Sequence, residues 1–335
     1  MTSRDRRGFQ AAVFALAIVM GAAHAQSADW KDPSTHQAQF ITVEPGVKLE
    51  VLDWGGTGQP IVLLAGYDTA HEYDDFAPKL AQFCHVYGIT RRGYGASSRT
   101  ESGYTAARSA EDVLQVLDAL KLIRPVLVGH SFGGQDLSSL GATHSDRLGG
   151  LVYLNSAEDP TLAFPPPAGL QGVRPAAMRN PPKEDFSSFQ AYRESQLRIH
   201  GVAFPEAELR ALYAANPDGS IGKYSVPGWV RQAIFEGRVK PDYARIRVPV
   251  LAFYGVPPTE EELIRKYTPQ NETERAAIEL TRATDLMIGA RSKVDLLIGV
   301  PTARVVNVPG ANWYIFLSNP AELLREMKAF LAGLE

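Results

Sequence analysis

The ten residues Pro125 to Gly134, PVLVGHSFGG, leave this chain few folds to choose from. Val126-Leu127-Val128 is an apolar run without alternation, the pattern of a strand covered on both faces. The run stops at Gly129, and a helix is expected to begin after Ser131, with Gly129, Gly133 and Gly134 allowing a tight corner. G-x-S-x-G between a strand and a helix strains its middle residue and lifts that side chain into open space. A serine hydroxyl raised there, at a helix N-terminus whose free N–H groups favour negative charge, is placed to attack a carbonyl carbon. Ser131 is therefore the candidate nucleophile.

The chain begins with a positive segment (Arg4, Arg6, Arg7), an apolar stretch from Ala11 to Ala23, and the small-x-small pattern Ala23-His24-Ala25. Those features predict an export signal over residues 1–25, with a mature chain starting near Gln26 in the periplasm or outside the cell. No second apolar segment is long enough for a stable membrane span after cleavage. A net charge of −3 and the lack of a basic run outside the signal argue against a nucleic-acid partner. Cys84 is the single cysteine, so no intramolecular disulfide forms, and a buried packing role is expected for it. No Cys/His spacing reads as a metal site, and neither metal nor cofactor is expected.

Gln39–Val43 and Val47–Trp54 read as a hairpin turning at Pro45-Gly46, followed by a buried strand at Ile61–Leu64. Tyr73–Phe83 reads as a helix, His85–Thr90 as a strand, and Ser109–Leu120 as an amphipathic helix with Val113, Val116, Leu117 and Leu120 on one face. Gly150–Leu154, Val248–Tyr254 and Arg304–Val308 are further strands, and Thr273–Ile298 and Pro320–Leu331 further helices. Strands alternating with helices predict a parallel sheet covered on both faces. Between Asp159 and Arg245 the alternation breaks, with helical stretches near Asp185–Ile199, Glu206–Ala215 and Gly228–Glu236 and no expected strand. The expected organisation is a core of residues 26–159 and 246–335 with a helical cap inserted at 160–245.

In order and spacing, LLAGYDTAHEYDDFAPKL, RRGYGASS, LVGHSFGG, LVYLNSAED and VPGANWYIFLSNPAELLREMKAFL resemble landmarks of the α/β-hydrolase fold family. The likeness runs across the whole expected mature chain. It implies a mostly parallel eight-stranded sheet with helices on both faces and an inserted helical cap. It also implies an oxyanion hole from the backbone N–H groups of Phe132 and Tyr67, with Gly66 allowing close approach.

The remaining triad positions depart from the family pattern. The family's histidine follows the last strand in a pattern such as P-G-A-x-H, and Pro309-Gly310-Ala311-Asn312-Trp313 puts Trp313 in that slot. Indole has one N–H donor and no lone pair to take a proton from a serine. The acid's more common position, the turn at Gly255–Thr259, has no carboxylate before Glu260. Its alternative position, after the sixth strand, holds Asn155, with Glu158 and Asp159 nearby. His71, in the loop after the third strand, is the alternative base, whereas His130 should point away from Ser131 and serve structure. Trp313 and Asn155 together suggest a retained bond from the indole N–H to the Asn155 side-chain oxygen.

Two functions follow. One is an exported serine hydrolase of the esterase type, acting on a carboxylic ester or similar acyl group with weak or impaired turnover. The other is a non-catalytic protein binding a small, apolar or ester-containing molecule on a hydrolase scaffold. Phe164, Phe186, Phe189, Tyr192, Phe204, Tyr213 and Trp229 give the cap enough aromatic surface for an apolar pocket.

Overall fold

In the computed structural model, residues 30–334 are described apart from 163 and 176–181. The expected export signal lies outside the described residues. An eight-stranded sheet forms the centre, in the order β1-β2-β4-β3-β5-β6-β9-β10. Its strands are β1 (Gln37–Glu44), β2 (Val47–Gly55), β3 (Pro60–Leu64), β4 (His85–Ile89), β5 (Val126–His130), β6 (Gly150–Leu154), β9 (Val250–Val256) and β10 (Arg304–Pro309). The first three in spatial order pair antiparallel; every later pairing is parallel.

The middle strands are apolar throughout because both faces are covered. Every residue of β5 and β6 is buried, and Val126, Leu127, Val128, Leu151 and Val152 are fully so. Burying each such side chain contributes about 1.5–3 kcal/mol relative to leaving it in water. One core lies on the face covered by α2 (Ala106–Ala119) and α3 (Gly133–Thr143) and includes Val113, Val116, Leu137 and Leu140. The other lies under α1 (Ala77–Leu80) and α10 (Pro320–Ala332) and includes Leu80, Leu323 and Met327. Cys84 belongs to this second core, fully buried, and burial pushes its thiol up to about 12.

Local signals set the helix ends. The Thr105 side chain accepts from the Arg108 N–H and starts α2, the first turn's usual need for an acceptor. The segment expected as a helix over Tyr73–Phe83 is instead a 3-10 turn at Ala70–Tyr73 followed by the single-turn α1. Pro78 accounts for the late start, since it lacks an N–H and fits only a first helical turn.

Between β6 and β9 lie α4 (Phe189–His200), α5 (Glu206–Leu212) and α6 (Gly228–Glu236). The expected absence of strands here is corrected: β7 (Tyr213–Ala215) and β8 (Ile221–Tyr224) form a two-stranded antiparallel hairpin. Asn216-Pro217-Asp218-Gly219 turns it, with Gly219 at φ +83° and the Asp218 carboxylate accepting from Ser220. Strands of three and four residues are too short to show alternation, so only that turn marked them. Helix α7 (Glu260–Tyr267), capped by a reciprocal Thr259–Glu262 pair, and the long α8 (Glu272–Gly299) precede β10. The short α9 (Ile315–Ser318) then leads into α10.

Candidate active site

The site sits at the C-terminal ends of β3, β5, β6 and β10. Ser131 has φ +52°, a left-handed conformation that costs a non-glycine residue free energy and is held by its surroundings. Those surroundings are tight: a Cβ on Gly133 would lie 2.3 Å from the Leu64 carbonyl oxygen, so α3 packs against the end of β3 only through glycine. On the other side, a Cβ on Gly66 would lie 2.6 Å from Ser131 Cβ and 2.8 Å from its hydroxyl oxygen. The turn after β3 therefore passes directly over the serine.

The same position on Gly66 is 3.1 Å from the Phe132 amide nitrogen. Neither the Phe132 nor the Tyr67 amide donates to a described acceptor, so both remain available as oxyanion donors. Their rings pack together at 4.4 Å, and Arg231 of α6 lies 5.4 Å above the Tyr67 ring. The Tyr224 hydroxyl of β8 donates to the Tyr67 carbonyl at 3.4 Å, so the segment between β6 and β9 roofs this turn.

Ser131 opens into a cavity of about 790 Å³, also lined by Asp68, Phe204, Tyr213, Arg231, Trp313 and Tyr314. A second space of about 700 Å³ lies against α8 and shares His200, Asn312 and Trp313 with the first. Trp313 thus stands on the wall common to both, with 48 % of its surface exposed. No described side chain hydrogen-bonds the Ser131 hydroxyl.

Asn155 sits at φ +49° just beyond β6 and uses both ends of its carboxamide. Its Oδ1 accepts from the Gly255 N–H at 2.6 Å, and its Nδ2 donates to the Trp313 carbonyl at 3.0 Å. The expected bond from the indole N–H to Asn155 is therefore corrected: the amide oxygen is taken by β9, and the residue 313 backbone, not its side chain, meets Asn155. His130 is fully buried and donates from Nε2 to the same Trp313 carbonyl at 3.2 Å. Burial holds its imidazole down at about 4, so it is neutral. It does not line the Ser131 cavity.

His71 is removed from the candidate bases. Its Nδ1 lies 3.1 Å from Asp74 and its Nε2 3.7 Å from Glu50, and it is not among the residues lining the Ser131 cavity. Although burial opposes its charge, hydrogen bonds to Asp74 and Glu50 raise it to about 10. A cation at neutral pH has no lone pair to offer.

Of the alternative acids, Asp159 binds the Thr161 N–H and hydroxyl in a local turn, and Glu260 is exposed in the first turn of α7. Glu158 is partly buried, and burial raises its carboxyl to about 7. None of these three lines the Ser131 cavity.

His200, at the end of α4, was not singled out from sequence. It lines the cavity with Ser131, and Asn312 donates to its backbone carbonyl at 2.7 Å, tying the cap to the Trp313 loop. Burial and the nearby Lys266 lower its imidazole, favouring the neutral form. Position in sequence, ahead of the last strand by about a hundred residues, carried no signal for this placement.

A mostly parallel sheet with a strained serine at the end of its central strand, beneath two open amides, defines the α/β-hydrolase architecture. The chain belongs to the alpha/beta hydrolase family, whose family model matches residues 61–326. Epoxide hydrolase A of Mycobacterium tuberculosis is 28% identical over 215 residues, which span 56% of this chain and 64% of that protein. A non-heme chloroperoxidase of Burkholderia pyrrocinia is 25% identical over 214 residues, 62% of this chain and 72% of that one. Among solved structures, an E-2-(acetamidomethylene)succinate hydrolase superposes with a TM-score of 0.65 at 18% identity, covering 89% of this chain and 99% of that chain. An esterase from a Rhodococcus species gives 0.58 at 18% identity, covering 90% and 100%. At such identities the structural likeness speaks for the fold.

Proposed function

We propose that the protein is an exported acyl-ester hydrolase of impaired turnover, with Ser131 as nucleophile and the Phe132 and Tyr67 amides as oxyanion hole. The observation that carries the reading is a serine held at φ +52° beneath open amides, with indole where imidazole is needed. The hole and the cavity still favour a tetrahedral oxyanion, but nothing at position 313 removes the serine proton. Loss of the base in such a triad costs on the order of a millionfold, leaving roughly a thousandfold or more over water. The ligand that suits the cavity is a small ester whose apolar part meets Phe204, Tyr213 and Tyr314 and whose polar end faces Arg231.

A non-catalytic binding role is the second reading, favoured by Trp313, which places a large flat side chain in the cavity wall. Turnover of a short aryl ester separates the two. The hydrolase reading expects slow hydrolysis that Ser131→Ala lowers further, with a gain in Trp313→His. Hydrolysis equal to the Ser131→Ala background, together with saturable ligand binding, selects the binding role. A rate on the order of ten per second, lost in Ser131→Ala, overturns the impairment. In that event His200→Ala identifies whether the cavity's imidazole is the base. Export is checked separately by fractionating cells that express the full chain.

A further inference from the structure

Directly behind the oxyanion turn lies a group of side chains that the reaction does not use. Asp68 is in the turn itself, Glu72 is in the following 3-10 turn, and His130 ends β5 beside Ser131. One carboxylate oxygen from each acid and one ring nitrogen of His130 lie within 4.8 Å of one another. Glu72 and His130 are fully buried, while Asp68 reaches the cavity wall. Neither carboxylate oxygen of Glu72 has a hydrogen-bond partner among the described residues, and neither does His130 Nδ1.

Geometry limits what can satisfy these atoms. His130 Nε2 donates to the Trp313 carbonyl, so in the neutral ring Nδ1 is a bare lone pair. That lone pair faces Glu72 Oε2 at 3.7 Å. At 3.7 Å the two atoms are too far apart for one proton to bridge, since hydrogen bonds close near 2.7–3.2 Å. An ion with bonds of about 2.0–2.1 Å spans such a gap at an angle of roughly 120–130°. Charge points the same way. The Glu208 carboxylate, held by the Thr69 N–H and hydroxyl, is a third acid close to Asp68 and Glu72.

A second group, Asp32, His36, His71 and Asp74, also brings ligand-type atoms together. There each imidazole already has a carboxylate in hydrogen-bond range, His36 to Asp74 at 2.8 Å and His71 to Asp74 at 3.1 Å. That group is satisfied by its own ion pairs. The Asp68 group is not.

We propose that Asp68, Glu72 and His130 Nδ1 bind one first-row divalent cation, of the zinc or manganese type, entering from the Ser131 cavity past Asp68. Two carboxylates and one imidazole suit such ions, and three protein ligands leave a coordination position open. The Asp68 side chain also accepts from the Tyr314 hydroxyl at 3.2 Å, which orients the carboxylate. The ligand atoms lie within 4.8 Å of one another, so they must draw closer for an ion to bind all three. The sequence hid this site because its ligands come from two distant segments and include no cysteine or paired histidines.

The test uses the purified protein stripped with a chelator and dialysed. Titration with Zn2+ or Mn2+, followed by calorimetry and elemental analysis, should show one ion per chain and a higher unfolding temperature for the loaded form. Glu72→Gln and Asp68→Asn should bind at least 10–100-fold more weakly, no less than losing an outer-shell partner costs. Ser131→Ala and His36→Gln should bind as the wild type does. Absence of stoichiometric binding by the wild type overturns the proposal and assigns the cluster to shared protons. Undiminished binding by Glu72→Gln, or loss of binding in His36→Gln, places the ion elsewhere and overturns it too. If Glu72→Gln does not fold, the Asp68→Asn result decides, because that side chain lies at the cavity wall.

Discussion

Replacing Asn155 by Asp tests the proposed loss of a working triad. The carboxamide accepts from Gly255 at 2.6 Å and donates to the Trp313 carbonyl at 3.0 Å, with the Asn312 carbonyl at 3.4 Å. A carboxylate keeps the first bond, forfeits the second, and sets its charge against both carbonyl oxygens. The lost bond costs about 1 kcal/mol net, and the partly buried unpaired charge adds about 1–2 kcal/mol. The total, about 2–3 kcal/mol, should lower the unfolding temperature by roughly 3–5 °C in a chain this long. The sign with pH follows from protonation. Facing carbonyls, the new carboxyl has a folded-state pKa above the unfolded value of about 3.9, so the folded state binds more protons. Stability then falls as pH rises, with little loss at pH 4 and the full loss by pH 8. In the Trp313→His background an imidazole N–H can serve the carboxylate, so the two changes should couple favourably by about 1–2 kcal/mol. Ester turnover should exceed that of either single variant, since the acid fixes the tautomer of the base. Thermal unfolding of the four proteins at pH 4.5 and 8, with turnover of one aryl ester, checks all of this. Wild-type stability of Asn155→Asp at pH 8, or strictly additive effects, would refute the reasoning.

Three further outcomes follow from the structure. Glu158 is raised to about 7 by burial, so its folded pKa exceeds the unfolded value and its ionisation costs stability as pH rises from about 4.3 through 7. Glu158→Gln should add about 1–3 kcal/mol at pH 8 and nothing at pH 4, read from urea unfolding. His71 is raised to about 10, so its contribution is present below about 6.5 and disappears as pH climbs through 10. His71→Gln should cost about 3–5 kcal/mol at pH 6 by leaving Asp74 and Glu50 without their cation, and leave any Ser131-dependent turnover of the folded protein in place. Gly66→Ala should remove residual ester turnover, because its Cβ would fall 2.6 Å from Ser131 Cβ. A destabilisation of about 1–3 kcal/mol should accompany it in a denaturant titration, and an active, stable Gly66→Ala would contradict the close approach.

The central strand, the serine corner and α2 were legible because each is written in contiguous residues. Val126-Leu127-Val128 reads as a strand covered on both faces, and the glycines beside Ser131 mark the corner that the φ of +52° records. The expectation that Trp313 stands in the family's histidine slot was equally local, since it depends only on the count from Pro309. The cap hairpin was missed because β7 and β8 are too short to carry a period. His71 was weighed as a base from its loop position, whereas Asp74 and Glu50 hold it as a cation, and it does not line the Ser131 cavity.

Periodicity and turn chemistry act between neighbours in the chain, so the sequence by itself determined the sheet's strands, the elbow and the indole at position 313. Hydrogen bonds, burial and charge act between neighbours in space, and only the tertiary structure decided those. It gave the Asn155 carboxamide to Gly255 and the Trp313 backbone instead of the indole, and it brought His200 into the Ser131 cavity. It also set a bare imidazole nitrogen of His130 against the buried carboxyl of Glu72, 58 residues away along the chain but 3.7 Å away across the fold. No local pattern encodes such a meeting, because its energy depends on how completely the fold excludes water from both groups.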